Sequence, residues 1–87
     1  MTYKRIIIIK TPSETHPYYI KAIKKYKQNK KRFYKRYVEL KIKKSNEFKV
    51  ILIGFDGTVK KKYNKFSTSK IIQDIESMPM GQIFREY

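Results

Sequence analysis

Apolar residues in this chain come in short runs, and their period switches between two and a helical spacing. The run Ile6-Ile7-Ile8-Ile9 is β-branched throughout and short, the pattern of a strand buried on both faces. Residues 11–15 are a loop by their turn chemistry, and Pro17 suits a first helical position with Thr15 or His16 as N-cap. Tyr19, Ala22, Ile23, Tyr26 and Phe33 then recur at helical spacing and predict one helix with a single apolar face. Tyr34, Arg36, Val38, Leu40 and Ile42 alternate with Lys35, Tyr37, Glu39 and Lys41, which predicts a second strand, with residues 43–47 as a polar connection. Residues 48–53 form the strongest strand pattern, and Asp56-Gly57 marks a hairpin turn. Residues 59–63 return as an exposed strand whose Lys60, Lys61 and Lys62 blunt a sheet edge. Ser67 or Ser69 caps a last helix that buries Ile71, Ile72, Ile75 and Met78 and ends at Pro79.

The predicted order is β-α-β-β-β-α: an α/β fold with a mixed four-stranded sheet and two helices, one joining parallel strands and one closing the sheet. With helices on both faces, this is a minimal thioredoxin-like arrangement. No repeat, linker or composition shift divides residues 1–87, so they are expected to form one basic domain.

The C-terminal half carries a further signal. The stretch Val50-Ile51-Leu52-Ile53-Gly54-Phe55-Asp56-Gly57-Thr58-Val59-Lys60, followed by Ile75-Glu76-Ser77-Met78-Pro79-Met80, resembles an uncharacterised bacterial family of thioredoxin-like domains. The resemblance covers about residues 48–82 and implies a fold, not an activity. Redox members of that superfamily hold a Cys-x-x-Cys pair where the first strand meets the first helix, and a cis-proline before the third strand. The corresponding place, Thr11 to His16, has no thiol, and no proline lies between Pro17 and Pro79. Thiol redox chemistry is therefore excluded.

Charge is the most informative property of the chain. Lys and Arg number 22 against 7 acids, a net charge of +15 on 87 residues. Lys21, Lys24, Lys25, Lys27, Lys30, Lys31, Arg32, Lys35 and Arg36 fall in one segment without an acid, and Lys60, Lys61, Lys62 and Lys65 form a second cluster. Solubility is ordinarily achieved with mixed signs, so an acid-free face points to a polyanionic partner. Duplex DNA carries one negative charge per roughly 1.7 Å, so fifteen cations match about 26 Å of duplex, close to the width of so small a domain. Ammonium groups act as point charges suited to phosphate neutralisation without base readout. These thirteen residues are the candidate nucleic-acid-binding set, and the expected function is non-sequence-specific DNA binding and compaction. Whether the two clusters share one face decides between a coat and a bridge between DNA segments.

An RNA-binding or ribosome-associated protein, or a non-redox interaction module for an acidic protein, is the alternative, with DNA favoured over RNA as partner. The reading leaves room for a homo-oligomer or self-association on DNA. Lys-, Ile- and Tyr-rich usage resembles small basic core proteins of AT-rich giant viruses, which implies a location with nucleic acid inside the cell or in a virion core. No apolar run reaches the roughly 20 residues of a membrane span, and Ile6 to Ile9 is too short for a signal peptide. Cysteine is absent, which removes disulfides and thiolate metal sites. His16 reads as a cap and Asp56 as a turn former, so catalytic residues, metal and cofactors are not expected. Most aromatic residues read as core, with Tyr34, Tyr37 and Tyr63 left for stacking on bases. Thr11, Ser13, Thr15, Ser67, Thr68 and Ser69 are candidate phosphorylation sites, each modification removing about 1.5–2 units of positive charge.

Overall fold

The computed structural model describes residues 4–77. Chain order is β1 (Arg5–Thr11), α1 (Pro17–Gln28), α2 (Lys30–Lys35), β2 (Val38–Lys44), β3 (Lys49–Ile53), β4 (Val59–Tyr63) and α3 (Thr68–Glu76). The four strands lie in the order β2-β1-β3-β4, with β1 parallel to β2 and the other pairs antiparallel. This is a mixed-sheet α/β fold with three helices rather than the two expected.

The extra helix arises because the crossover breaks at Asn29. Asn29 leaves helical geometry at φ −117° and ψ 21°, and its Nδ2 donates to the Lys25 carbonyl at 2.9 Å. Arg32 Nη1 donates to Asn29 Oδ1 at 3.1 Å, so the amide side chain bonds on both sides of the break, beside the backbone bonds from the Asn29 amide to the Lys25 carbonyl and from the Phe33 amide to the Asn29 carbonyl. Phe33, the buried residue of α2, re-enters the core beyond it, stacked on Tyr26 with centroids 5.2 Å apart.

The second strand also begins later than its alternation suggests. Tyr34 and Lys35 belong to α2, and Arg36-Tyr37 is a turn in which the Arg36 and Tyr37 amides donate to the Phe33 and Tyr34 carbonyls, each at 3.0 Å. Tyr37 takes φ 58°, the left-handed conformation that ends a helix. The strand then extends through Lys43 and Lys44, held in register by the parallel pairing of Lys10 with Lys43 and Thr11 with Lys44.

Side-chain burial in β1 alternates strictly, with Ile7 and Ile9 fully buried and Ile6 and Ile8 partly so. The core contains Ile7, Ile9, Val38, Val50, Leu52 and Tyr63 from one face of the sheet, together with Ala22, Phe33, Phe66, Ile71, Ile72 and Ile75 from the helical layer and the β4–α3 loop. All three helices thus pack on the same face, against the expectation of helices on both. The short β2–β3 connection supplies no helix for the other side. At one end of β1, buried Arg5 donates to the Arg36 carbonyl and stacks 4.6 Å from the centre of the Phe55 ring. Burial and the neighbouring Arg36 charge push its pKa down to about 10, so it remains a cation near neutrality.

The hairpin signal is realised. Gly57 adopts φ 81°, and Asp56 Oδ1 accepts from the Thr58 amide at 3.0 Å and its hydroxyl at 2.8 Å. A register shift between Leu52 and Ile53 marks a bulge beside this turn. Ser67 is the N-cap of α3, whose apolar stripe Ile71, Ile72 and Ile75 is buried. Met78 and Pro79 lie outside the described residues.

Candidate nucleic-acid interface

Helix α1 starts at Pro17, where the missing amide proton costs nothing, and His16 caps it by accepting the Tyr18 amide on Nδ1 at 3.1 Å. The His16 ring stacks on Phe48 with centroids 5.6 Å apart and meets Tyr18 edge-on. An aromatic cluster therefore fills the junction of β1 and α1. With Ala22 buried and Tyr19, Ile23 and Tyr26 packed on the core, Lys21, Lys24, Lys25 and Lys27 are left exposed to solvent.

These lysines are not equivalent. Lys25 Nζ donates to the Phe66 carbonyl at 3.1 Å, which ties α1 to the loop before α3. Lys21, Lys25 and Lys65, with Tyr18, Ala22 and Phe66, line a cavity of about 230 Å³. Lys65 Nζ stands 5.1 Å over the Tyr18 ring. The fold thus joins one member of the second sequence cluster to the first.

The break at Asn29 shapes the other half of the helical cluster. Lys27, Lys30, Lys31, Arg32 and Lys35 line an open concavity of about 540 Å³ together with Tyr34. Tyr34 is 79% exposed and available for stacking. Tyr37 is exposed as well, with its ring centroid 6.4 Å from that of Phe55, whereas Tyr63, the third expected stacker, is buried. Arg36 stands apart. Its Nη2 lies 3.4 Å from Glu76 Oε1 and its Nη1 donates to the Arg32 carbonyl at 2.9 Å, so it links α2 to α3.

On β4, Lys60, Lys61 and Lys62 point in different directions. Lys60 pairs with Asp56 Oδ2 at 2.9 Å. That hydrogen bond, followed by those from Thr58, holds the Asp56 carboxyl well below the usual carboxylate range. Lys61 is registered with Leu52 on the helix-covered face, and Lys62 with Ile51 on the opposite one.

Sequence reasoning missed a set of cations on that opposite face. Pairing registers place Lys43, Lys10 and Lys49 side by side across β2, β1 and β3. The next row reads Lys41, Ile8, Ile51, Lys62 across all four strands. The alternation of Lys41 and Lys43 with Leu40 and Ile42 was a usable signal, but it needed the sheet order to become a surface.

Among the hydroxyls, Thr11 is 3% exposed and donates to the Ser13 carbonyl at 2.8 Å, which removes it from the sites open to modification. Ser13, Thr15 and Ser69 are exposed, while Ser67 and Thr68 are half-buried. Among the described residues, no group of His, Cys, Asp or Glu is arranged to hold a metal ion, and no helix is long and apolar enough to cross a membrane.

Fold and surface together define a small, strongly basic α/β domain with one helical layer and a lysine-bearing sheet face. The chain belongs to the family described as a domain of unknown function (DUF4174), whose model matches residues 37–83, just over half of the sequence. The matched segment begins before β2 and takes in β3, β4 and α3, while β1 and the cation-dense α1 and α2 precede it. No curated protein and no solved structure matches the chain.

Proposed function

We propose that this protein binds duplex DNA through its phosphates, without sequence preference, and compacts it, acting as a binder and not an enzyme. One observation carries the reading. All eighteen lysines lie within the described residues, yet Lys60 alone is ion-paired to a described acid. The others decorate a rigid scaffold where phosphates can replace solvent ions as their neighbours. A concave, lysine-lined helical break with an exposed tyrosine follows a charged backbone more readily than it reads base edges.

We also infer that the scaffold is thioredoxin-like: the strand order, the parallel β1–β2 pair and the antiparallel β3 and β4 agree with that arrangement. The aromatic cluster of His16, Tyr18 and Phe48 takes the place where a redox pair would stand, which suits a scaffold reused for binding. On this reading the protein resides with nucleic acid inside the cell or in a virion core, and its relation to small basic core proteins of AT-rich giant viruses rests on composition.

The test is a salt-titrated DNA-binding assay with light scattering to report condensation. Neutralising six to eight phosphates gives a slope of about −5 to −7 for log K against log salt, with unrelated duplexes bound alike. A slope near zero, or strong discrimination between duplexes, overturns the proposal. Preferential displacement by duplex RNA at equal salt moves the partner from DNA to RNA.

A further inference from the structure

The lysines on the helix-free face of the sheet form an arrangement that isolated folding does not favour. Lys43, Lys10 and Lys49 occupy directly opposed positions on three adjacent strands, whose backbones are about 4.8 Å apart. Like charges directly opposed across a sheet are destabilising. No acid shares the row. Glu39, the acid on this face of β2, sits two rows away beside Ile6, and Glu47 in the preceding loop makes no ion pair with Lys49. Lys41 and Lys62 flank the adjacent row of Ile8 and Ile51 and extend the positive field across the sheet.

This face looks away from the helices. Every helix contributes its buried side chains to the core on the far side of the sheet, and the outward lysines of α1 and α2 project beyond that layer. Cations therefore occupy two opposite sides of one domain, separated by a packed core.

We propose that the Lys43–Lys10–Lys49 row, supported by Lys41 and Lys62, is a second phosphate-binding surface, and that one molecule clamps two duplex segments, one on each side of its sheet. The inference rests on the DNA-binding reading and deepens it: compaction comes from bridging by single molecules rather than from charge neutralisation along one duplex. The occupant is duplex DNA because the row offers regularly spaced ammonium groups with no acid to exclude a phosphate backbone. Phosphates placed against the row relieve the repulsion that the free sheet sustains.

The experiment immobilises one biotinylated duplex, adds the full-length chain, and measures retention of a second, fluorescent duplex of unrelated sequence. Wild-type protein retains the second duplex. The variant K10Q/K43Q/K49Q binds a single duplex about twofold more weakly, since one of two independent faces is lost. Its retention of the second duplex falls about tenfold or more, since three ammonium groups no longer meet phosphates. The exposed single variant Lys43→Gln, which leaves the two central-strand lysines in place, is expected to lose part of the capture and decides the matter if the triple variant does not fold. Capture by the folded triple variant equal to wild type overturns the proposal. So does wild-type protein that binds the first duplex but never retains the second, a result that leaves the DNA-binding reading standing. Failure of wild-type protein to bind the first duplex removes both.

Discussion

The Tyr63 hydroxyl donates to Asp74 Oδ2 at 2.6 Å, joining the last residue of edge strand β4 to helix α3. Burial, then the hydrogen bond and charge of Asp74, raise the Tyr63 pKa well above its ordinary value. The neutral phenol is thus the form the fold favours. Its stabilisation is complete below the unfolded pKa of about 10 and is lost as pH rises beyond that value. Tyr63→Phe is expected to cost about 1.5–3 kcal/mol at pH 7, as for a hydrogen bond to a charged group. The difference between wild type and variant should shrink above pH 10. Urea unfolding of both proteins at pH 7 and pH 10.5 checks this, because lysine deprotonation affects the two alike. A difference independent of pH would show that the pair contributes nothing through the phenol's proton.

The hairpin separates two ways in which a glycine is required. At Gly57 an added Cβ would meet nothing within 4 Å, but φ is +81°, so Gly57→Ala carries a purely conformational cost of about 1–2 kcal/mol. At Gly54 the obstacle is steric: an ideal Cβ would stand 2.6 Å from Lys60 Cε. Gly54→Ala must displace the Lys60 side chain and with it the ion pair to Asp56. The Asp56 pKa, held down first by Lys60 and then by Thr58, should rise toward the ordinary carboxylate value in this variant and stay depressed in Gly57→Ala wherever the turn survives. Because a depressed carboxylate stabilises the fold above its unfolded pKa of about 4, wild type should lose that contribution as pH falls below this value, and Gly54→Ala should lose less. NMR titration of the Asp56 side chain in the three proteins measures the shift directly.

These local features were legible because they depend on neighbours in sequence. Asp56-Gly57 announces its own turn, the 48–53 run is apolar enough to be a central strand, and Ile71, Ile72 and Ile75 mark the buried stripe of α3. The break at Asn29 was hidden because the apolar spacing from Tyr26 to Phe33 continues a helical repeat across it, while what marks it is the backbone conformation and side-chain bonding of Asn29 itself. The start of β2 was misplaced because Tyr34 to Tyr37 alternates by residue type although its backbone closes a helix. For the candidate interface, the cation-rich helix was visible in sequence, but the sheet-face row was not. Lys10, Lys43 and Lys49 belong to three separated segments, and only strand order and register bring them together.

Phe33 is the residue that anchors α2 to the core. It is fully buried, stacks on Tyr26, and meets Phe66 edge-on at 6.0 Å between centroids. Truncation removes both ring interactions and leaves a cavity in the helix-covered core. Phe33→Ala should cost about 3–5 kcal/mol, a large share of a domain's total stability of order 5–15 kcal/mol. Phe33→Leu retains most of the volume and should cost about 1–1.5 kcal/mol. Denaturant unfolding followed by circular dichroism distinguishes them. Equal, small losses for both would mean that α2 is not anchored by this side chain.

Cations within the helical cluster should divide by role. Lys27, Lys31 and Lys35 line the concavity around Asn29 and make no ion pair with a described acid. Replacing all three by Gln should reduce the salt slope of DNA binding by about 0.9 for each phosphate left unneutralised, with the unfolding midpoint unchanged or raised as repulsion falls. Arg36 touches Glu76 and the Arg32 carbonyl instead, and its Nε is buried without a hydrogen-bond partner. Arg36→Gln should therefore lower stability by about 1 kcal/mol, since a partly exposed ion pair contributes little and the broken hydrogen bond to the carbonyl adds to it. Its effect on the salt slope should be small. Measuring slope and unfolding midpoint for both variants tests the division: an Arg36→Gln protein of wild-type stability that loses slope as the lysine variant does would return Arg36 to the binding surface, and a lysine variant with an unaltered slope would remove the concavity from it.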